Sequence, residues 1–189
     1  HLHGDHFFGL IGLISTFGIL NREKELHIHG PKGIKEVINI QLKLSKSYVK
    51  FKIIFHELNS TESELIFEDE KVKVYTIPLN HRVYTNGFLF KEKEKLRKIN
   101  ISAVKKFKEI DVCDYNNLKA GKDFKLDSGD VIKNSELTCN PEKAVSYAYC
   151  SDTSYKPSII EIINGVDLLY HESTFLTDKE DLASKTGHS

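Results

Sequence analysis

The stretch that most constrains this chain is its first six residues, His1-Leu2-His3-Gly4-Asp5-His6. On an extended backbone His1 and His3, two apart, point to the same side, and Gly4 permits a sharp turn into Asp5 and His6. The apolar run Phe7 to Ile14 follows at once and reads as a buried helix. Three imidazoles and a carboxylate at a strand-to-helix junction can hold a transition metal, because these are the donors zinc takes in hydrolytic sites. A histidine-rich loop or a tag would lack both the aspartate and the core helix behind it.

The rest of the chain reads as alternating strands and helices. Phe7 to Leu20 is apolar on nearly every face, so the helix belongs inside a layered domain. Glu25 to His29 alternates as a short strand, Gly30-Pro31 and Gly33 end it, and Ile34 to Leu44 returns to helical spacing. Strands are expected at Phe51 to Leu58, Leu65 to Phe67, Lys71 to Ile77 and Gly87 to Phe90, then at Ala144 to Cys150 and Val166 to Tyr170. A helix is expected at Ile159 to Ile163, and turns at Leu118 to Lys122 and Asp127 to Asp130. Three polar residues fall just past strand ends: His81, Asp152 and Glu172. That is where a layered α/β protein recruits ligands. Taken singly, Asp152 reads better as a turn or helix-cap aspartate. His27 and His29 lie on a strand without a nearby acidic partner, and His56 on another, so structural roles are expected for all three.

Charge excludes some classes. Basic and acidic residues balance at 27 each, so any nucleic-acid binding must come from local clustering. Such a cluster exists at Lys91, Lys93, Lys95, Arg97, Lys98, Lys105, Lys106 and Lys108, opposed within that run only by Glu92 and Glu94. A run like this is usually a solvated face; were the histidine site to act on a nucleic-acid backbone, it would be a candidate RNA-binding surface. No apolar run approaches the roughly 20 residues a bilayer span needs, so no membrane is expected. Cys113, Cys139 and Cys150 form no C-x-x-C pair and are odd in number, which suggests reduced thiols and a cytoplasmic protein. Methionine is absent even at position 1, so a piece lacking both ends is expected.

H-x-H-x-D-H is the signature of the metallo-β-lactamase superfamily, and HLHGDHFFGL closely resembles the version in the ribonuclease Z family, the transfer-RNA 3′-processing endonucleases. ELHIHGPKG and PLNHR resemble later segments of that family, as do the segments around Leu118 to Lys122 and Asp127 to Asp130. His171-Glu172-Ser173-Thr174-Phe175 resembles its His-Glu-Ala-Thr motif with serine for alanine, and Gly187-His188-Ser189 the start of its His-Ser-Thr motif.

The resemblance implies an α/β metallo-β-lactamase fold, a four-layer αββα sandwich incomplete in this chain. It implies one domain over 1–189, carrying an inserted basic arm at about 91–120. The family arm is often Gly/Pro-rich; here it is lysine-rich without a Gly-Pro pair. Two zinc ions are implied, with manganese or iron as substitutes. His1, His3 and His81 would hold the first, Asp5 and His6 the second, and Asp152 would bridge them. Asp5 is the candidate general base. Glu172 and His188 match the pair credited with protonating the leaving group.

The expected activity is therefore zinc-dependent hydrolysis of a phosphodiester near the 3′ end of precursor transfer RNA, by a homodimer. A last metal histidine and further strands would lie outside these residues, so this piece alone is expected to cleave weakly or not at all. The rival readings are another hydrolase of the same fold, a phosphodiesterase or thioesterase, and a metal-free nucleic-acid-binding module. HESTF, GHS and the lysine-rich insertion argue against the first, and the filled motif positions against the second.

Overall fold

The computed structural model describes all 189 residues. The chain opens with helices α1 (Gly4–Phe7) and α2 (Gly9–Ile19), strand β1 (Leu26–Pro31) and helix α3 (Ile34–Leu44). Strands β2 (Ile53–Leu58), β3 (Leu65–Glu68), β4 (Val72–Pro78) and β5 (Asn86–Glu92) follow. Then come β6 (Lys98–Ile99), α4 (Ile101–Val104), α5 (Tyr115–Lys119), β7 (Phe124–Lys125), β8 (Val131–Ile132), α6 (Asn134–Leu137) and β9 (Thr138–Cys139). The chain closes with β10 (Ser146–Cys150), α7 (Ile160–Ile163), β11 (Leu168–His171) and α8 (Glu180–Thr186). Two compact units result: His1–Glu68, Lys73–Phe90 and Ser146–Ser189 form one, Asp69–Val72 and Lys91–Val145 the other.

In the first unit β1 and β2 pair in parallel, with His29 opposite His56. Ile28 on β1 packs with Ile14, Ile34, Ile38 and Phe51. Ile34 and Ile38 are four apart on α3, so a single helical face supplies both. Each such side chain taken out of water contributes roughly 1.5–3 kcal/mol. Gly33 starts α3 at a φ of 100°, a conformation glycine adopts freely, and its N–H donates to the Glu57 carboxylate at 2.7 Å. The apolar run predicts a helix covered on nearly every side. Only Ile14 of α2 is fully buried, and Ile19 and the adjoining Leu20 are 80% and 71% exposed. One packed layer covers one stripe of a helix, and the remaining apolar side stays open.

The other sheet of this unit has the order β11-β10-β5-β4-β3. β10 and β11 are parallel, with Cys150 opposite His171, and β3 is antiparallel to β4. Its core is Ile77, Leu79, Leu89, Ala148, Cys150 and Ile159. Gly87 on β5 runs so close to β10 that a β-carbon there would collide with the Tyr149 carbonyl.

The second unit has its own core of Val104, Ile110, Leu118, Ile132 and Leu137. Two antiparallel ribbons, β6-β9 and β7-β8, frame it. The buried Asn134 amide donates to the Leu118 and Lys122 carbonyls at 2.8 Å each, tying α6 to the end of α5. Leu118 and Lys119, expected in a turn, instead complete α5, because Leu118 is a core residue; the turn follows at Gly121, with φ 88°. The stretch 91–120, where an arm is expected, falls within this unit. Its core needs Ile132 and Leu137, so the unit extends to Val145.

Gly87→Ala is expected to cost roughly 1–3 kcal/mol, as overpacking against a fixed backbone does. Gly12→Ala on α2, where a β-carbon meets nothing within 4 Å, should be neutral or stabilise by about 0.4–1 kcal/mol. Urea denaturation of the full-length protein checks both.

Candidate metal centre

Three loops leave strands of the five-stranded sheet. His81 follows the end of β4, Asp152 follows β10, and Glu172 follows β11. The parallel register of β10 and β11 brings their ends level, so Asp152 and Glu172 leave as neighbours. Thr153, fully buried, locks the loops together. Its N–H donates to Glu172 Oε1 at 2.5 Å, and its Oγ1 accepts from the Asn80 N–H at 3.0 Å and donates to the Ser154 carbonyl at 2.8 Å. The Ser154 N–H donates to the Asn80 carbonyl at 2.7 Å, and Ser189 Oγ donates to the Thr153 carbonyl at 2.6 Å.

Four groups aim donor atoms at one small space. His1, His3, His81 and Asp152 each place a ligand atom within 4.8 Å of all the others. His81 Nε2 lies 3.4 Å from His3 Nδ1 and 3.9 Å from Asp152 Oδ2. The opposite nitrogen, Nδ1, donates to the Gly187 carbonyl at 2.7 Å, since a carbonyl can only accept. That bond fixes the tautomer and turns the Nε2 lone pair inward, as metal-binding histidines are commonly held. His1 Nε2 is buried and lacks a hydrogen-bond partner, at 3.5 Å from Asp152 Oδ2. An orphaned imidazole nitrogen beside a carboxylate is costly unless a cation joins them, so the donor set fits a metal ion.

His6 joins the group through Asp152, with Nε2 to Oδ2 at 3.0 Å. Asp5 does not enter the cluster. Its side chain is 77% exposed and reaches the site through His6 Nε2 at 3.3 Å. The local cause is α1: the helix begins at Gly4, so Asp5 sits on a helical turn whose outer side faces solvent and touches the site only along its rim, at His6. Asp152 also belongs to a second group, with Glu172 and His188, whose ligand atoms again lie within 4.8 Å of one another.

Glu172 is buried and held from several sides. Burial pushes its carboxyl up, but bonds from the Thr174 hydroxyl, the Thr153 and Ser189 backbone and His188 outweigh this and hold it below the usual glutamate range. His188 Nδ1 donates to Glu172 Oε1 at 2.9 Å, which leaves Nε2 as its working atom. The His188 ring stands 5.0 Å from the His81 ring. Thr153, Thr174 and Gly187 are the residues sequence reasoning missed. Threonines beside two motif acids were a visible signal; the carbonyl of Gly187 carried none.

The remaining candidates lie elsewhere. His27, His29 and His56 gather on β1 and β2, with His27 Nδ1 2.9 Å from His56 Nε2 and the His29 and His56 rings stacked at 4.2 Å. An acidic neighbour is present after all: Glu25 Oε1 is 3.3 Å from His27 Nε2. Burial, then the nearby His56 and His27, lower the His29 pKa. Cys150 is buried and its thiol is pushed up to about 11, so it is no nucleophile. In the basic run Arg97 is committed to structure, bonding Thr138 Oγ1 at 2.6 Å and Asn140 Oδ1 at 2.5 Å. Lys95 pairs with Glu92 at 2.9 Å and Lys98 with Glu142 at 2.8 Å. Lys91 is exposed and Lys93 half-buried, whereas Lys105, Lys106 and Lys108 stand exposed around the end of α4.

No family model matches the chain. Individual proteins do. A ribonuclease Z of Bacteroides thetaiotaomicron is 47% identical over 189 residues, which are all of this chain and 60% of that protein. One from Cytophaga hutchinsonii is 46% identical over 187 residues, 98% of this chain and 59% of that protein. The crystal structure of the short form of human tRNase Z aligns with a TM-score of 0.66 at 25% identity, covering the whole of this chain and 61% of that one. The chain thus spans about 60% of the length of these relatives.

The network around Glu172 gives a pH signature. A carboxyl held below its unfolded value stabilises above the unfolded pKa, and that contribution is lost as the pH falls through the folded one. Glu172→Gln should therefore unfold at a lower temperature than the parent at neutral pH. The gap should close as both are acidified through the carboxylate range, as read by thermal melts.

Proposed function

We propose that this chain, which is similar to ribonucleases Z along its whole length, is a member of that family and carries the reacting centre of a metal-dependent endoribonuclease. Its substrate would be precursor transfer RNA, cut near the 3′ end to release the trailer. One observation carries the reading: Asp152 is common to the histidine cluster and to the Glu172–His188 pair. A carboxylate shared in this way couples a cation site to a proton donor. The same fold family is a mixed α/β architecture, and the four-layer sandwich is the arrangement we assign to the complete protein.

His1, His3, His81 and Asp152 would hold one zinc, and His6 with Asp152 and Asp5 a second. When bound, such a pair polarises a phosphate oxygen and supplies an activated water. The chain's own residues do the rest. Glu172 keeps the His188 ring in place and its tautomer fixed, so that Nε2 faces the reaction. As the imidazolium, with Nδ1–H on Glu172, His188 gives its Nε2 proton to the departing ribose oxygen and is left neutral. The Gly187 carbonyl orients His81 in the same backbone segment that positions His188, so metal holding and proton delivery share one hinge. Asp5, exposed beside His6, is the candidate base for the attacking water.

Lys105, Lys106 and Lys108 supply sequence-independent affinity for the RNA backbone. The apolar side of α2, with Phe8, Leu13, Ile19 and Leu20 exposed, suits a homodimer contact. No helix is long and apolar enough to cross a membrane. Cys113 and Cys139 are free and exposed, which suits a reducing cytoplasm.

Two variants of the full-length protein separate the roles. His81→Ala should lose bound zinc and cleavage together. His188→Ala should retain zinc and lose about 10²–10⁴-fold in rate, the usual worth of a positioned acid. Metal analysis and single-turnover cleavage of precursor transfer RNA read both. Equal zinc content in parent and His81→Ala would defeat the metal assignment. Replacing Lys105, Lys106 and Lys108 by glutamine should weaken RNA binding and flatten its dependence on salt.

A further inference from the structure

A cleft of about 590 Å³ opens beside His188, lined among others by Asn80, Ser154, Tyr155, Phe175 and Glu180. Its residues come from the same three loops and from the first turn of α8, so it is built into the reacting centre. The proton-transfer scheme uses none of the five. No lysine or arginine lines it, and Glu180 brings a negative charge, so the cleft is ill-suited to a phosphate. What it offers is aromatic surface with a polar rim. Tyr155 is 79% exposed, three residues beyond Asp152, and the Phe175 ring stands edge-on to the His188 ring at 6.3 Å. Asn80 and Ser154 bond each other at 2.8 Å, which stiffens the rim.

We propose that this cleft receives the nucleobase of the nucleoside whose ribose oxygen departs. The inference rests on the phosphodiesterase reading above and adds a binding subsite to it. His188 Nδ1 is occupied by Glu172, so the departing oxygen must approach Nε2. The nucleoside carrying that oxygen then lies against the wall of this cleft, and its base is the one flat, uncharged group within reach. Tyr155 supplies a stacking face, and every base has a face to offer it. Seating the base fixes the ribose, and with it the angle at which the oxygen meets His188. Tyr155 is thereby a binding residue that positions the leaving group. Its exposure means that its removal leaves the fold intact.

The test is a double-mutant cycle on the full-length, metal-loaded protein. Parent and Tyr155→Ala cleave two RNAs, identical except that in one the leaving nucleoside is abasic. The parent should lose about 10- to 100-fold in kcat/KM on the abasic RNA, the range of one base–aromatic stack. Tyr155→Ala should be slower than the parent on the intact RNA and nearly indifferent to the missing base. A parent that cleaves both RNAs equally overturns the proposal. So do two penalties that multiply, which would place base and tyrosine in separate interactions. If the parent cleaves neither RNA, the phosphodiesterase reading itself fails and takes this subsite with it.

Discussion

The parallel pairing of β10 with β11 is the contact on which the site depends. It brings Cys150 level with His171, so the two acids that follow emerge within reach of each other. Strand pairing alone would leave two free loops. Thr153 converts them into one rigid corner, because its N–H, hydroxyl and carbonyl all bond groups from neighbouring loops. The residue is small enough to vanish from the surface and polar enough to satisfy three segments. A valine of the same shape would fill the space and leave the Asn80 N–H without its partner, the kind of buried loss that costs more than a bond is worth.

A cluster of imidazoles and carboxylates packed this tightly is an electrostatic liability for a fold. The protein concentrates them beyond the ends of strands and orients them from outside. Carbonyl and carboxylate acceptors take the outward nitrogens of His81 and His188, leaving the inward nitrogen of His81 as a lone pair and that of His188 open to bind or release a proton. Such outer partners set ligand direction as firmly as the ligands themselves. Stability and reactivity are thus coupled in the same few bonds. The Glu172 carboxylate holds a corner of the fold and also the His188 ring.

The sequence was most legible where side-chain period and geometry coincide. β1, α3, β2, β4 and β10 fall close to where alternation or helical spacing puts them. His1, His3, His81, Asp152, Glu172 and His188 converge, because residues past strand ends have few places to go. Other features depend on facts no local pattern carries. An all-apolar helix says nothing about how many neighbours it has, which is why α2 is open. Asp5 stays on the exposed rim of the cluster because α1 starts at Gly4, three residues earlier than the apolar run suggests. Arg97 reads as one basic residue in a basic run, yet its partners Thr138 and Asn140 lie some forty residues downstream. Only tertiary structure can show that a charge is already taken.

The insertion between β5 and β10 also affects how the chain gets to its folded state. These two strands are neighbours in the sheet, yet the whole segment Lys91–Val145 separates them. Closing a loop of that length against chain entropy costs on the order of 3 kcal/mol. The insertion has a core of its own, and its two ends are already joined, Glu92 N–H to the Val145 carbonyl at 2.9 Å and the Val145 N–H back to the Glu92 carboxylate at 3.1 Å. Once it has collapsed locally, the long loop behaves as a short one, and β5 meets β10 almost as if the two were a hairpin.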